Sequence, residues 1–169
     1  MSGIPVITIS RQYGAGGREI AGLVAEKLGV KLYDRQIVHI AAAKIGLDDL
    51  TENDLLELEN YVKPLSMSFL PFRSFGMNMS DSSQKIFMTE SAAIRKLAQD
   101  GPCVILGRSA DYVLRKFENK FSIFICADDE FREARGKEVY GGKTLKELDQ
   151  EDKKRARYYN YYTGQNWGE

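Results

Sequence analysis

The chain has 169 residues, 43% of them apolar and 28% charged, with 24 lysines and arginines against 24 aspartates and glutamates. That length holds one core rather than two full ones, and a net charge of zero excludes the overall positive field that draws in nucleic acid. No apolar run approaches the roughly 18 residues a bilayer span needs, and one histidine with two isolated cysteines is too few for the usual ligand set of a structural zinc.

The first ten residues lack the basic stretch, apolar stretch and cleavage site of a secretory leader, so a soluble protein of the cytoplasm is expected. Neither a nucleic acid nor a membrane is expected as partner, and the oligomeric state is left open. Val6 to Ile9 is a short β-branched run that leads at once into Ser10-Arg-Gln-Tyr-Gly-Ala-Gly-Gly-Arg-Glu19. Ile20, Val24 and Leu28 then recur at helical spacing, and Gly29 is placed to end that helix. Lys31 to Tyr33 reads as a second strand running to Asp34, so a βαβ unit opens the chain.

A helix is predicted over 36–45, with His39 as a residue of its face, and Thr51-Glu-Asn-Asp54 resembles a capping box before a further helix. From Pro64 to Ser83 the period is lost among Pro, Gly, Ser, Met and Phe, which predicts a long loop or mobile insertion. Its Met67, Phe69, Phe72, Phe75, Met77 and Met79 suit either a flap over a substrate or a self-association surface. Phe87, Ile94 and Ala98 restore helical spacing up to Asp100. Cys103 to Leu106 is a continuous apolar run of the kind a covered parallel strand carries, ending in Gly107-Arg108. A short helix with Ala110, Val113, Leu114 and Phe117 follows, then a strand over Phe121 to Cys126 and a helix starting near Asp128 or Asp129. Thr144 to Tyr162 is helical at least in part. Cys103 and Cys126 both lie in β-type runs and are expected to be buried structural thiols. Alternating strands and helices predict an α/β fold, three-layer α/β/α with a parallel sheet.

The glycine loop carries the chemistry. A turn of this kind between a strand and a helix lets backbone N–H groups converge, and the helix dipole adds partial positive charge at the same point. Phosphate is the natural guest. The strict pattern GxxxxGK[ST] is absent: aligned on Gly14-Ala-Gly16, Gly17 stands at the lysine position, and the charged pair Arg18-Glu19 follows where the Ser/Thr is expected. Arg18, one residue along, is a candidate for the missing charge, and Arg11 stands where the pattern has its first glycine.

Four segments together resemble the cytidylate kinase-like proteins, a branch of the nucleoside monophosphate kinases among the P-loop NTPases, nearly end to end. They are Ile9-Ser-Arg-Gln-Tyr-Gly-Ala-Gly-Gly-Arg-Glu-Ile-Ala21, Tyr33-Asp-Arg35, Gly101-Pro-Cys-Val-Ile-Leu-Gly-Arg-Ser-Ala-Asp111 and Arg155-Ala-Arg-Tyr-Tyr-Asn-Tyr-Tyr-Thr-Gly-Gln165. The resemblance implies one domain over 1–169 with a five-stranded parallel core. It also implies an insertion over about 36–83 that binds the monophosphate, and an arginine-bearing lid over about 129–163 that closes on ATP. Family members continue through a last strand and helix, so a truncated C-terminus is expected.

Carried over residue by residue, the resemblance makes Arg11, Tyr13, Gly14, Ala15, Gly16, Gly17, Arg18 and Glu19 the ATP phosphate cradle, with Arg132 and Arg135 of the lid beside it. Asp34, Arg35, Arg108 and Asp111 fall at the acceptor monophosphate. Arg18, Arg108, Arg155 and Arg157 are the candidates for neutralising charge on the transferred group, since arginine binds phosphate in bidentate fashion and keeps its charge. The bland alternative for the lid arginines is a solvated helix face paired with Glu151 and Asp152. The four tyrosines Tyr158, Tyr159, Tyr161 and Tyr162 are read as part of the lid helix rather than as a base-stacking surface. ATP and Mg²⁺ are the implied cofactors, with the metal ligands unassigned. The implied reaction moves the γ-phosphoryl of ATP to CMP or dCMP. Alternatives are another small acceptor, or a nucleotide-binding sensor that keeps the cradle without turnover.

Overall fold

The computed structural model describes residues 3–35 and 79–168, with side chains from 86 onward in the second span. The elements are strand β1 (Val6–Arg11), helix α1 (Gly17–Leu28), strand β2 (Lys31–Tyr33), helix α2 (Met79–Gln99), strand β3 (Cys103–Leu106), helix α3 (Ala110–Val113), strand β4 (Lys120–Ile125), helix α4 (Asp129–Glu138) and helix α5 (Leu145–Thr163). The four strands form one sheet in the order β2-β3-β1-β4, every pair parallel. The predicted helix over 36–45, His39, the capping box at Thr51 and most of the predicted insertion lie outside the described residues.

Strand alternation sorts the core into two layers. Ile7 and Ile9 of β1 and Val104 and Leu106 of β3 pack with Ala21 and Ala25 of α1 on one face. Val6, Cys103 and Ile105 point to the other face, against Ile94 and Ala98 of α2 and Ala110, Val113 and Leu114. Each fully buried aliphatic side chain contributes about 1.5–3 kcal/mol. The two faces cover β3 completely, which is why that strand is apolar at every position. The α/β/α layering predicted from the alternating elements is the fold observed. Four parallel strands are described, where the family resemblance implied five.

Three local expectations change. Residues 79–83, read as loop, are the first turns of α2; a polar run of Ser and Asp shows no apolar period, yet it is continuous with the buried half of the same helix. The helix after Arg108 is one turn long. Cys126 is exposed, just beyond the end of β4, and only Cys103 is the buried thiol expected of both. Burial pushes the Cys103 thiol up to about 11.

Two helix caps are those the sequence marked, and a third adds to them. Gly29 closes α1 in the left-handed region at φ 64°, and Asp128 caps α4 by accepting from the Phe131 amide. Thr144 and Glu147 form a reciprocal capping box at the start of α5.

Candidate phosphate-binding site

The loop from Gln12 to Gly16 leaves the C-terminal edge of β1, where open α/β sheets place their ligand crevices. Gln12 ties it to β4: its amide donates to the Ile125 carbonyl at 2.9 Å, and its side-chain oxygen accepts from the Ala127 amide at 3.3 Å. Gly14 and Gly16 adopt φ of 84° and 77°, a region that strains other residues. Gly16 caps α1 without a side-chain hydrogen bond, so the first-turn amides are left for an outside acceptor. Ala15 is buried within the turn, its amide donating to the Gln12 carbonyl at 3.3 Å.

Helices α4 and α5 grip this loop from one side. Asp152 accepts the Tyr13 amide at 2.8 Å, and Arg132 Nε donates to the Tyr13 carbonyl at 3.0 Å. Arg132 in turn binds Asp152 at 2.8 Å and Asp149 at 3.0 Å. Leu148, fully buried, lies where a Cβ on Gly14 would be 3.2 Å from its Cδ1. Arg135 pairs with Glu19, and the Tyr13 ring packs 4.8 Å from that of Tyr140 with the Arg155 guanidinium 4.7 Å from its centroid. Asp152 is therefore structural where a solvated helix face was the alternative; burial raises its carboxyl above the usual range, opposed by the Tyr13 amide, Arg155 and Arg132. Its position one turn before Arg155 and Arg157 was visible in sequence, but nothing there marks it as buried.

Three arginines gather at the mouth. The Arg155 guanidinium donates to the Arg11 carbonyl at 3.2 Å, and burial lowers its pKa. The Arg11 side chain passes so close beneath α1 that a Cβ on Gly17 would meet its Cγ, and its guanidinium reaches so close to Gly107 that a Cβ there would meet Nη1. Burial, then Arg155 and Arg108 among its neighbours, pulls the Arg11 pKa down to about 10. Arg108, at φ 58°, pairs with the buried Glu90 of α2, while its Nε is buried without a hydrogen bond among the described residues.

The remaining candidates scatter. Arg18 has a side chain 74% exposed and is bound to Asp34 at 3.2 Å. Arg35 follows Asp34 at the end of β2 and is partly buried. Asp111 accepts from the Tyr159 hydroxyl at 2.6 Å, and its other carboxylate oxygen is buried without a hydrogen bond among the described residues. Burial, followed by Asp111, raises the Tyr159 pKa. Arg157 is exposed and donates to the Lys153 carbonyl of its own helix. Spacing alone did not identify Glu90, Gly107, Tyr140 or Asp152, because each acquires its role through a contact distant in the chain.

The donor set fits a polyphosphate: open first-turn amides, an arginine without an ion-pair partner among the described residues, and a second with a buried free N–H. It does not make a cage for Mg²⁺. Among the described residues no three His, Cys, Asp or Glu side chains are grouped to hold a metal, and Glu19 is engaged by Arg135. A magnesium ion here would be held chiefly by the nucleotide's own phosphates and water.

The model of the cytidylate kinase-like family matches residues 6–169, nearly the whole chain. The chain belongs to that family. Membership supports a phosphotransferase acting on a nucleotide or small molecule, with ATP as donor. Among solved structures, an uncharacterized protein from Eubacterium ventriosum ATCC 27560 superposes with a TM-score of 0.68 at 24% identity, over 98% of this chain and 81% of that one. TT1252 from Thermus thermophilus gives 0.52 at 16% identity over 98% and 87%, and a gluconokinase from Sinorhizobium meliloti 1021 gives 0.51 at 15% over 89% and 74%. These likenesses show the fold. A comparison with curated proteins found no match. Among the described residues of this cytidylate kinase-like chain, no helix is long and apolar enough to cross a membrane.

Proposed function

We propose that the protein transfers the γ-phosphoryl of ATP to a nucleoside monophosphate, CMP or dCMP being the acceptor that its family points to. The observation that carries this reading is the gathering of Arg11, Arg108 and Arg155 where β1 and β3 end and α1 begins. Phosphoryl transfer asks little covalent chemistry of a protein; positioned cations and exclusion of water supply most of the barrier reduction. In this reading the loop from Tyr13 to Glu19 holds the donor phosphates, with Arg11 beneath it and Arg155 beside it. Arg108 and Asp111, beyond β3, face the acceptor with Asp34 and Arg35. Helices α4 and α5 act as the lid, their buried Arg132 and Asp152 fixing the loop rather than touching phosphate. The buried free atoms on Arg108 and Asp111 suit an acceptor that carries both a phosphate and polar base edges.

The test is ADP production from ATP and Mg²⁺ with CMP, dCMP, UMP, AMP, GMP or water as acceptor. Strong stimulation by one monophosphate is expected, falling roughly 10²–10³-fold in Arg108→Ala. Tight ATP binding without stimulation by any acceptor would instead identify a sensor.

A further inference from the structure

The sequence lacks a P-loop lysine, and Arg18, the nearest cation in the chain, turns away to Asp34. Strand alternation puts a different cation under the loop. Arg11 shares its face of β1 with Ile7 and Ile9, the face that α1 covers, so its side chain leaves the sheet directly beneath the first turn of that helix. Two glycines leave room for it. At Gly17 a Cβ would lie 2.5 Å from Arg11 Cγ and 2.6 Å from Cβ, and at Gly107 a Cβ would lie 2.5 Å from Nη1. The side chain thus runs from the start of α1, which its stem underlies, to the end of β3, where its guanidinium lies.

Resting on the phosphotransferase reading above, we propose that Arg11 performs the phosphate-bridging role of the missing lysine, reaching the site from the end of β1 instead of from the start of α1. Gly17 stands at the lysine position because any larger residue there would displace the arginine that replaces it. The charge balance agrees. Among the described residues Arg11 has no carboxylate within ion-pair distance; burial, then Arg155 and more weakly Arg108, act against its charge, and Tyr140 and Asp152 offset them only in part. A half-buried cation held among like charges is a cost in the ligand-free protein, and polyphosphate converts that cost into binding.

That cost separates this role from a merely structural one. Arg11→Met keeps the stem that packs under Gly17 and removes the charge. Its melting temperature without ligand is expected at or above that of the unaltered chain, while calorimetric titration with MgATP shows affinity weaker by roughly 10- to 100-fold. Arg11→Lys recovers part of the loss. Gly17→Ala alters no charge and introduces a good helix former, yet it weakens MgATP binding by pushing the arginine aside. Arg18→Ala has a smaller effect than Arg11→Met. The proposal is overturned if folded Arg11→Met binds MgATP within about threefold of the unaltered chain, or if Arg18→Ala costs more. If the unaltered chain binds MgATP without phosphorylating any acceptor, the kinase reading fails and the titrations still decide the role of Arg11.

Discussion

Arg132 of α4 and Asp152 of α5 meet in a buried ion pair, 2.8 Å from Nη2 to Oδ2, at 3% and 8% residue exposure. Between them they also hold both backbone groups of Tyr13, the carbonyl by Arg132 and the amide by Asp152. The pair is thus the joint between the two C-terminal helices and the glycine loop. Removing one partner leaves the other buried with its lesser partners alone, Asp149 for Arg132 and Arg155 for Asp152, so the cost is expected below the roughly 3–5 kcal/mol of a fully unpaired buried charge, at about 2–3 kcal/mol. Asp152→Ala and Arg132→Ala are each expected to lower the urea midpoint accordingly, and the double variant Arg132→Met with Asp152→Leu to lower it less than either. A double variant no better than the singles would mean that the Tyr13 hydrogen bonds, not the ion pair, dominate.

Two helical glycines are expected to respond oppositely to the same methyl group. In α4 a Cβ at Gly136 would collide with the Lys143 carbonyl oxygen, a backbone atom that cannot step aside cheaply. Gly136→Ala is therefore destabilising by about 1–3 kcal/mol in spite of alanine's better helix propensity. In α1 nothing lies within 4 Å of such an atom at Gly22, so Gly22→Ala stabilises by about 0.5–1 kcal/mol. Thermal melts of the two variants check both signs.

The α5 capping box makes the helix start pH-sensitive. The Thr144 amide, then its hydroxyl, hold the Glu147 carboxyl below its usual range. A depressed pKa contributes stability that is present above the unfolded value, near 4.3, and disappears as pH falls through the lower folded value. The melting-temperature gap between the unaltered chain and Glu147→Ala is thus expected to be constant from about pH 6 to 7 and to narrow below about pH 4. A gap that persists unchanged in acid would show that packing, not the carboxylate, supports the turn.

The two thiols are expected to differ in reactivity. Cys103 lies in the covered strand β3 with its thiol pushed up to about 11, whereas Cys126 is exposed beyond β4. Thiolate is the reactive form. A disulfide reagent at pH 8 is expected to titrate one thiol in the native protein and two in denaturant, and Cys126→Ser to abolish the native reaction.

Sequence by itself determined the features that depend on neighbours along the chain. The apolar period placed α1 and a continuous apolar run placed β3, Gly29 and Asp128 marked a helix end and a helix start, and Gly14-Ala-Gly16 between strand and helix identified the anion loop. Those signals are legible because strand alternation, helical period and caps repeat within a few residues. Tertiary structure alone decided which charged side chains meet. Arg18 and Arg11 are both arginines beside the same loop, yet one is drawn outward by Asp34 at the end of β2 and the other is threaded inward between Gly17 and Gly107. Asp152 reads in the sequence as one more carboxylate on a charged helix, and becomes buried because α5 lays it against Tyr13, 139 positions away. Long side chains reach several ångströms in directions set by how sheet and helices stack, and no short-range pattern encodes that stacking.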